Sequence, residues 1–422
     1  MKEKSINSNK TFDWIIVGGG VAGISLSEIL TREGHSVALI EKNNKLASET
    51  TREFHEWVHT GSLYTLVKDK MKTLKYVLGS LDDLLEFYSS FSKMNLKPSE
   101  NGLKIVEDEK GWFNPNYINF KYRIKNRKFI IPWIYAISRS IALIDGIRQH
   151  DWLRRRAGIL ESVTSKYYLP ILKNLIKIIS TNKNFFKVQT TDFTTNSRYL
   201  LGDMIATAVN NGLEIFTNNE LIEIKNSNEN VIANCSKGSF QAKNMVVCLG
   251  AKIEKFSNFK ITKTFAPIAV VKNIKANTES FVELDYFKKN CINIITKKNS
   301  FGLIGGISLN QKDEIEKYFD FMIKEHKKRN PEIQVIEKYV GIKNEVSLNN
   351  ENRNYLFHIN LVPKYKNVWS VIPGKFTLAF SLAPEFYRIV YKKNPRKMFS
   401  TFSDDGKFSH LIADTIWGEL QN

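Results

Sequence analysis

The sequence predicts an α/β protein built from two unlike sheets, with a basic segment inserted between pieces of the first. Three observations carry this expectation. A strand–helix–strand stretch opens the chain, a second block of the same character returns at residues 197–251, and alternating strand-like runs fill residues 263–307. The basic segment lies between the first two blocks.

Residues 13–41 read DWIIVGGGVAGISLSEILTREGHSVALIE. Trp14, Ile15, Ile16 and Val17 form an apolar run too short for a helix and suited to a strand buried on both faces. Gly18, Gly20 and Gly23 follow as GxGxxG. Ala22, Ile24, Leu26, Ile29 and Leu30 then recur at helical spacing until Gly34, where a left-handed cap costs little. Residues 36–40 read as a second buried strand, and it leads to Glu41. In such a unit the first glycine permits the tight turn, the second lets backbone approach a pyrophosphate, and the third lets the helix pack on the strand. The helix N-terminus can then meet the phosphates with free N–H groups, while Glu41 accepts from ribose hydroxyls. A strand before the glycines, a helix after them and an acid about 20 residues on make the motif specific for a dinucleotide. The domain is therefore Rossmann-like, with FAD and NAD both open at this point.

At 422 residues, 42% hydrophobic and 25% charged, the chain is long enough for two or more folded units with a sizeable core. The first twelve residues are polar, and no run of eighteen apolar residues occurs, so the expectation is a cytoplasmic protein that does not span a membrane. Cys235, Cys248 and Cys291 lie far apart with no CxxC, which suggests neither a disulfide framework nor a zinc or other metal site. They read as buried apolar fillers.

The formal net charge is +19, and much of the excess is local: residues 121–187 hold fifteen Lys or Arg against Asp145, Asp151 and Glu161. The same stretch contains the apolar run 129–144, Trp152 beside Arg154, Arg155 and Arg156, and the helix-like LPILKNLIKII at 169–179. Two readings stay open: a helical cap whose lysines are solvated, or a surface that docks on an anionic membrane or phosphate-rich partner. No nucleic-acid partner is expected.

Residues 49–66, ETTREFHEWVHTGSLYTL, place Thr50, Thr51, His55 and His59 in one short connection. Hydroxyls there can donate to phosphate oxygens, and a histidine near a glycine can reach a cofactor ring or substrate. Residues 67–97 suggest one or two amphipathic helices with Leu74, Val77, Leu78, Leu81, Leu84 and Leu85 on one face. In the second block, residues 199–209 read as a helix ended by Gly212, and residues 213–217, 220–225 and 231–235 as strands. A strand at 245–249 then runs into Gly250 and Ala251, small residues that admit a cofactor closely. Runs at 263–307 suggest an antiparallel sheet flooring a substrate chamber, followed by a charged helix at 311–329. A strand at 368–371, the turn Pro373–Gly374 and a helix from about Thr377 close the chain, and they present a second helix N-terminus to the cofactor.

These residues resemble the D-amino-acid oxidase superfamily of FAD-dependent oxidoreductases, most of all its glycerol-3-phosphate dehydrogenase branch, with L-2-hydroxyglutarate oxidases as near relatives. GGGVAG with Glu41 resembles the FAD βαβ unit, ETTREFHEWVHTGSLYTL that branch's threonine-serine segment leading to a histidine-glycine-glycine element, and the strand ending in Gly250 and Ala251 the third nucleotide element. PGKFT resembles the glycine-lysine-x-threonine loop. The resemblance implies an FAD-binding domain assembled from residues 12–100, 197–255 and 340–422, a helical basic insertion or cap at 101–196, and a substrate domain with an antiparallel sheet at 256–339. It implies that Gly18, Gly20 and Gly23 hold the pyrophosphate, Glu41 the adenosine ribose, and Thr50 and Thr51 the phosphates or ribityl chain. Leu221 would meet the adenine through its backbone, and Gly374, Lys375 and Thr377 would line the flavin's pyrimidine edge, with the Lys375 cation near N1 and O2. Two departures stand out. The family's glycine-apolar-arginine-proline element is here Gly341, Ile342, Lys343, Asn344, which keeps charge but loses the bidentate fork. The histidine element is HTG, without its second glycine.

The implied reaction is oxidation of a CH–OH or CH–NH group of a small anionic molecule by hydride transfer to flavin, with oxygen or another electron acceptor downstream. His59, with His55 second, has the pKa class of the base that takes a hydroxyl proton, and Lys343 or Arg353 would hold the anionic group. Two alternatives accompany this reading. One is a monooxygenase or reductase fed by NAD(P)H, against which no second GxGxxG is found. The other is a flavoprotein that docks peripherally on the inner face of a membrane through residues 121–187.

Overall fold

The computed structural model describes residues 10–61, 64, 72–99, 102–123, 177–181, 184–190, 192–227, 229–256, 260–285, 288, 290–347 and 356–421. The first sheet is the one the opening motif demands. Its parallel strands run in the order Glu214–Phe216, Val37–Ile40, Thr11–Val17, Gly238–Val247 and Val368–Ile372. On the edge away from Thr11–Val17, the long strand Gly238–Val247 serves two partners: its first half pairs antiparallel with Asn230–Cys235, and its last residues pair parallel with Val368–Ile372. Leu221–Ser227 continues the first of these branches antiparallel, and His358–Leu361 the second.

The apolar run at the start of the chain is continuous because both faces of its strand are covered. Trp14 and Ile16 pack among the helices, while Ile15 and Val17 pack against residues of the antiparallel strands. Three helices supply the first cover: Val21–Arg32, Ser197–Asn210 and Ala379–Tyr391. Each ends close to where the sequence places its end. Val21–Arg32 is followed by Gly34 and Ser197–Asn210 by Gly212, both at positive φ. Lys72–Phe87 buries Val77, Leu78, Leu81, Leu84 and Leu85, the stripe expected of an amphipathic helix. The charged helix is Ile315–Lys327, with Phe319 and Met322 turned inward.

The second sheet has eight strands, in the order Gln334–Ser347, Lys260–Lys272, Gly302–Gly306, Asn290–Thr296, Phe281–Asp285, Asn119–Arg123, Phe185–Gln189 and Lys177–Thr181. All neighbours are antiparallel except Phe281–Asp285 with Asn119–Arg123. This departs from the sequence reading in two places. The sequence predicts a helical basic insertion or cap over residues 101–196, yet Asn119–Arg123, Lys177–Thr181 and Phe185–Gln189 extend the second sheet. Phe120, Tyr122 and Val188 alternate into a buried cluster while Lys121 lies over the Phe281 ring and Lys187 pairs with Glu279. A period of two among closely spaced cations looks like an amphipathic helix when only composition is weighed. The core of the basic segment, including Trp152, Arg154, Arg155 and Arg156, lies outside the described residues.

The second departure is a boundary. Strand Gln334–Ser347 pairs with Lys260–Lys272 through Lys260↔Ser347, so residues 340–347 belong to the second sheet and not to the first. Lys343 travels with them. A small sheet in the order Trp57–Val58, Phe193–Thr195, Phe113–Asn114 stands beside these two. Among the described residues no helix is long and apolar enough to cross a membrane.

Candidate active site

A cavity of about 810 Å³ runs from Gly18 and Glu41 to His59 and Lys375, with Lys343 and Asn293 contributed by the second sheet. Its first end is shaped by backbone. Gly18 has φ +106°, and a Cβ there would stand 2.4 Å from the carbonyl oxygen of Cys248; a Cβ on Gly23 would stand 1.9 Å from the carbonyl oxygen of Gly18. Neither position tolerates a side chain, because the helix Val21–Arg32 sits directly on the turn. Gly20 lines the cavity beside them.

Glu41 is buried at the wall of the cavity. Its Oε2 accepts from the Gly19 N–H at 2.7 Å and its Oε1 from the Asn43 N–H at 2.8 Å. Each oxygen keeps a lone pair for a hydroxyl donor. Thr51 Oγ1 accepts from the Val21 N–H at 3.1 Å, at the first turn of the helix. The Thr50 hydroxyl donates to the carbonyl of Ile342 at 3.1 Å, which ties this loop to the second sheet. A second tie follows from Asn344, whose Nδ2 donates to the carbonyl of Gly250 at 2.9 Å. Leu221, Gly250 and Gly374 line the cavity, and Ala251 follows Gly250 in the short helical turn Gly250–Phe256.

The other end gathers the titratable groups. His55 is in contact range of Gly305, where a Cβ would come within 2.7 Å of the imidazole, and its buried Nε2 meets no hydrogen-bond partner among the described residues. Burial, with Lys297, Lys343 and His59 nearby, pushes His55 down to about 3. Burial likewise pushes His59 down to about 4, although Asp192 opposes the shift. Both imidazoles are therefore neutral across the physiological range, with a lone pair available. Lys343 lies with its Nζ 4.2 Å from the centroid of the Phe54 ring, and Lys375 Nζ is 5.1 Å from that of Tyr64. Thr377 does not line the cavity; it is fully buried, and its Oγ1 accepts from the His59 N–H at 2.9 Å. Arg353, the other candidate for gripping an anion, lies outside the described residues.

Three groups at this end are absent from the sequence reading: Asp192, Asn293 and Glu345. Asn293 and Glu345 line the cavity from the second sheet, and Asp192 stands behind His59. The acid between threonine pairs in TTDFTT is the one signal that could have drawn notice to Asp192. Cys248 and Cys291 also face the cavity, and all three cysteines are free.

The cavity suits an FAD-sized ligand. Its volume lies within the roughly 300–1,000 Å³ of small-molecule and cofactor sites, a glycine turn that admits no Cβ stands at one end, and a carboxylate with spare acceptor capacity stands beside it.

Fold and cavity together define a dinucleotide-binding α/β protein whose second sheet walls the site. Residues 13–110 match the DAO family, described as FAD dependent oxidoreductase, so this part of the chain is an FAD-dependent oxidoreductase domain of the D-amino-acid oxidase superfamily. The cofactor of that family is FAD. A UDP-galactopyranose mutase of Mycoplasma pneumoniae is 42% identical over 59 residues, a match that spans 14% of this chain and 14% of that protein. Among solved structures, L-α-glycerophosphate oxidase from Mycoplasma pneumoniae, dithionite-reduced with FAD bound, superposes with a TM-score of 0.62 at 16% identity over 97% of this chain and 100% of that one. Glycine oxidase from Geobacillus kaustophilus gives 0.61 at 12% identity over 92% and 96%. At such identities the likeness is one of fold.

Proposed function

We propose that the protein is an oxidoreductase that oxidises a CH–OH or CH–NH group of a small anionic substrate with FAD as its cofactor. The observation that carries this reading is the continuity of one cavity from the Gly18 turn to two neutral imidazoles and two lysines. Bound FAD would supply the acceptor for the substrate's hydride at N5. The residues of this chain orient the reactants and move the proton. Gly18, Gly20 and Gly23 leave room for the pyrophosphate, Glu41 accepts from the adenosine ribose, Thr50 and Thr51 flank the phosphates or ribityl chain, and Leu221 borders the adenine. Gly250 and Gly374 keep backbone close to the cofactor, with Ala251 next in the chain and Thr377 behind that wall on the His59 N–H, and Lys375 places a cation toward the flavin's pyrimidine edge.

His59 takes the proton from the substrate hydroxyl or amine, with His55 as the second imidazole within the chamber. Lys343 holds an anionic group on the substrate from the opposite sheet, as a point charge without arginine's bidentate fork. The acceptor that reoxidises the cofactor, oxygen or another, is part of the same proposal.

The test is anaerobic addition of 2-hydroxy acids, amino acids and glycerol 3-phosphate, one at a time, to protein reconstituted with FAD. Bleaching of the flavin bands by one class names the substrate. In His59→Gln, FAD is retained and bleaching slows by about a hundredfold or more, the low end of what general base catalysis contributes. Unchanged bleaching in that variant removes His59 from the role, and bleaching by NADPH alone replaces the proposal with a reductase or monooxygenase.

A further inference from the structure

We propose that Asp192 is the positioning residue of His59, holding its imidazole as the Nδ1–H tautomer so that Nε2 is the nitrogen presented to the cavity. The inference rests on the reading of His59 as proton acceptor, and it starts from strand pairing. Phe193 lies opposite Val58 and Thr194 opposite Trp57 in an antiparallel pair, so Asp192 and His59 stand across from one another one step beyond the last rung. Their side chains meet, with His59 Nδ1 3.5 Å from Asp192 Oδ2.

The carboxylate is held where the imidazole needs it. Asp192 is fully buried. Its Oδ1 accepts from the Thr60 N–H at 3.0 Å and from the Thr60 hydroxyl at 2.7 Å, and its Oδ2 accepts from Trp57 Nε1 at 3.0 Å. That leaves Oδ2 a lone pair for one more donor. On the other side, His59 Nδ1 is closed off from solvent and makes no hydrogen bond of ordinary geometry among the described residues, the Asp192 carboxylate being the acceptor it faces at 3.5 Å, while the side chain as a whole keeps 13% exposure and lines the cavity. A buried ring nitrogen facing a carboxylate carries the proton, and the tautomer then leaves the other nitrogen bare. The ring's own placement is fixed by Trp57, with ring centroids 4.2 Å apart, by the edge-on Tyr64 at 5.1 Å, and by Thr377 on the backbone N–H.

An ordinary structural acid would be satisfied by Trp57 and Thr60 alone and would leave the tautomer of His59 indifferent to its loss. The measurement that separates the two is nitrogen NMR of the FAD-reconstituted protein labelled with ¹⁵N-histidine, the His59 signals being those lost in His59→Gln. The expected native spectrum at pH 7 shows His59 protonated at Nδ1 and bare at Nε2. Asp192→Asn, whose amide can donate to Nδ1, moves the proton to Nε2, and flavin bleaching by the donor found above slows by about a hundredfold or more. A native His59 protonated at Nε2 overturns the proposal, and that outcome needs no variant to fold. So does an Asp192→Asn protein whose His59 keeps its Nδ1–H. The tautomer is read without substrate: if no donor bleaches the flavin while His59 is Nδ1–H, the oxidoreductase reading fails and the positioning stands. Bleaching by a donor with His59 protonated at Nε2 has the opposite meaning.

Discussion

Replacing Gly23 with alanine puts a methyl group 1.9 Å from the carbonyl oxygen of Gly18, where neither the helix nor the turn can yield without opening the other. The expected result is a protein destabilised by about 1–3 kcal/mol, the range of overpacked cores, and purified with substoichiometric FAD. A Gly23→Ala protein with full flavin content and an unchanged urea midpoint would contradict that packing. The histidines make a second prediction at this scale. In the unfolded chain an imidazole titrates near 6.5, whereas His55 is held down to about 3 and His59 to about 4, so between these values the unfolded chain binds more protons. Their contribution to stability is present in full above pH 6.5 and is lost as pH falls toward about 4 for His59 and about 3 for His55. Urea midpoints between pH 7.5 and 5 should decline, and less steeply in His55→Gln; equal slopes would mean that His55 is not buried as the neutral form. Residues whose meaning is local were legible without coordinates. Gly18, Gly20, Gly23 and Glu41 announce a turn by their spacing, and they line or shape the cavity. Asp192 was not legible, because Trp57 lies 135 residues away along the chain and only strand pairing brings the two together.

Elements are joined at Glu56, which sits between the loop of His55 and the strand Trp57–Val58. Its Oε1 accepts from the Ser197 N–H at 3.0 Å and hydroxyl at 2.6 Å, and its Oε2 from Lys297 Nζ at 2.6 Å and Trp417 Nε1 at 3.1 Å. Four segments of chain meet on one carboxylate whose side chain is 5% exposed. Burial works against the charge, yet Lys297 and Ser197 hold the carboxyl below its ordinary range. Lys297→Met strands that charge in the interior and should cost about 3–5 kcal/mol, while adding Glu56→Gln should recover much of the loss, as for other buried pairs. A denaturation series in which Lys297→Met is neutral would show the pair to be solvated. Element by element, what was legible follows the length of the periodic signal. The helices Val21–Arg32, Ser197–Asn210 and Ala379–Tyr391 each carry three or more turns of apolar spacing. The strands Asn119–Arg123 and Phe185–Gln189 have five residues each, with Lys121, Arg123 and Lys187 among their aromatics. Five residues are too few to separate a period of two from one of 3.6, and the charge density decided for helix.

Across the whole molecule, the two large sheets meet at the cavity. Thr50 to Ile342, the Ile342 N–H to Glu53 and Asn344 to Gly250 are among the hydrogen bonds that tie its walls together. The sequence could show that the nucleotide sheet is assembled from separated pieces, since a strand running into Gly250 returns long after the first motif. It could not show that residues 340–347 leave that sheet for the other, because a strand's partner is not written in its own periodicity. The consequence is that Lys343 lines the cavity from the second sheet. A ligand that fills such a cavity binds the folded chain and not the unfolded one, so it stabilises by RT ln(1 + [L]/Kd), about 2.7 kcal/mol at a hundredfold excess over Kd. Removing FAD should therefore lower the melting temperature, and adding it back should raise the midpoint progressively with concentration, while NAD at the same concentrations should not. Hydrogen exchange on the flavin-free protein should quicken around residues 18–23, 41–51, 248–250 and 373–376, the stretches that wall the cavity, and leave the far strands of the second sheet as they were. Equal melting and equal exchange with and without FAD would place the cofactor elsewhere and detach the histidines from its chemistry.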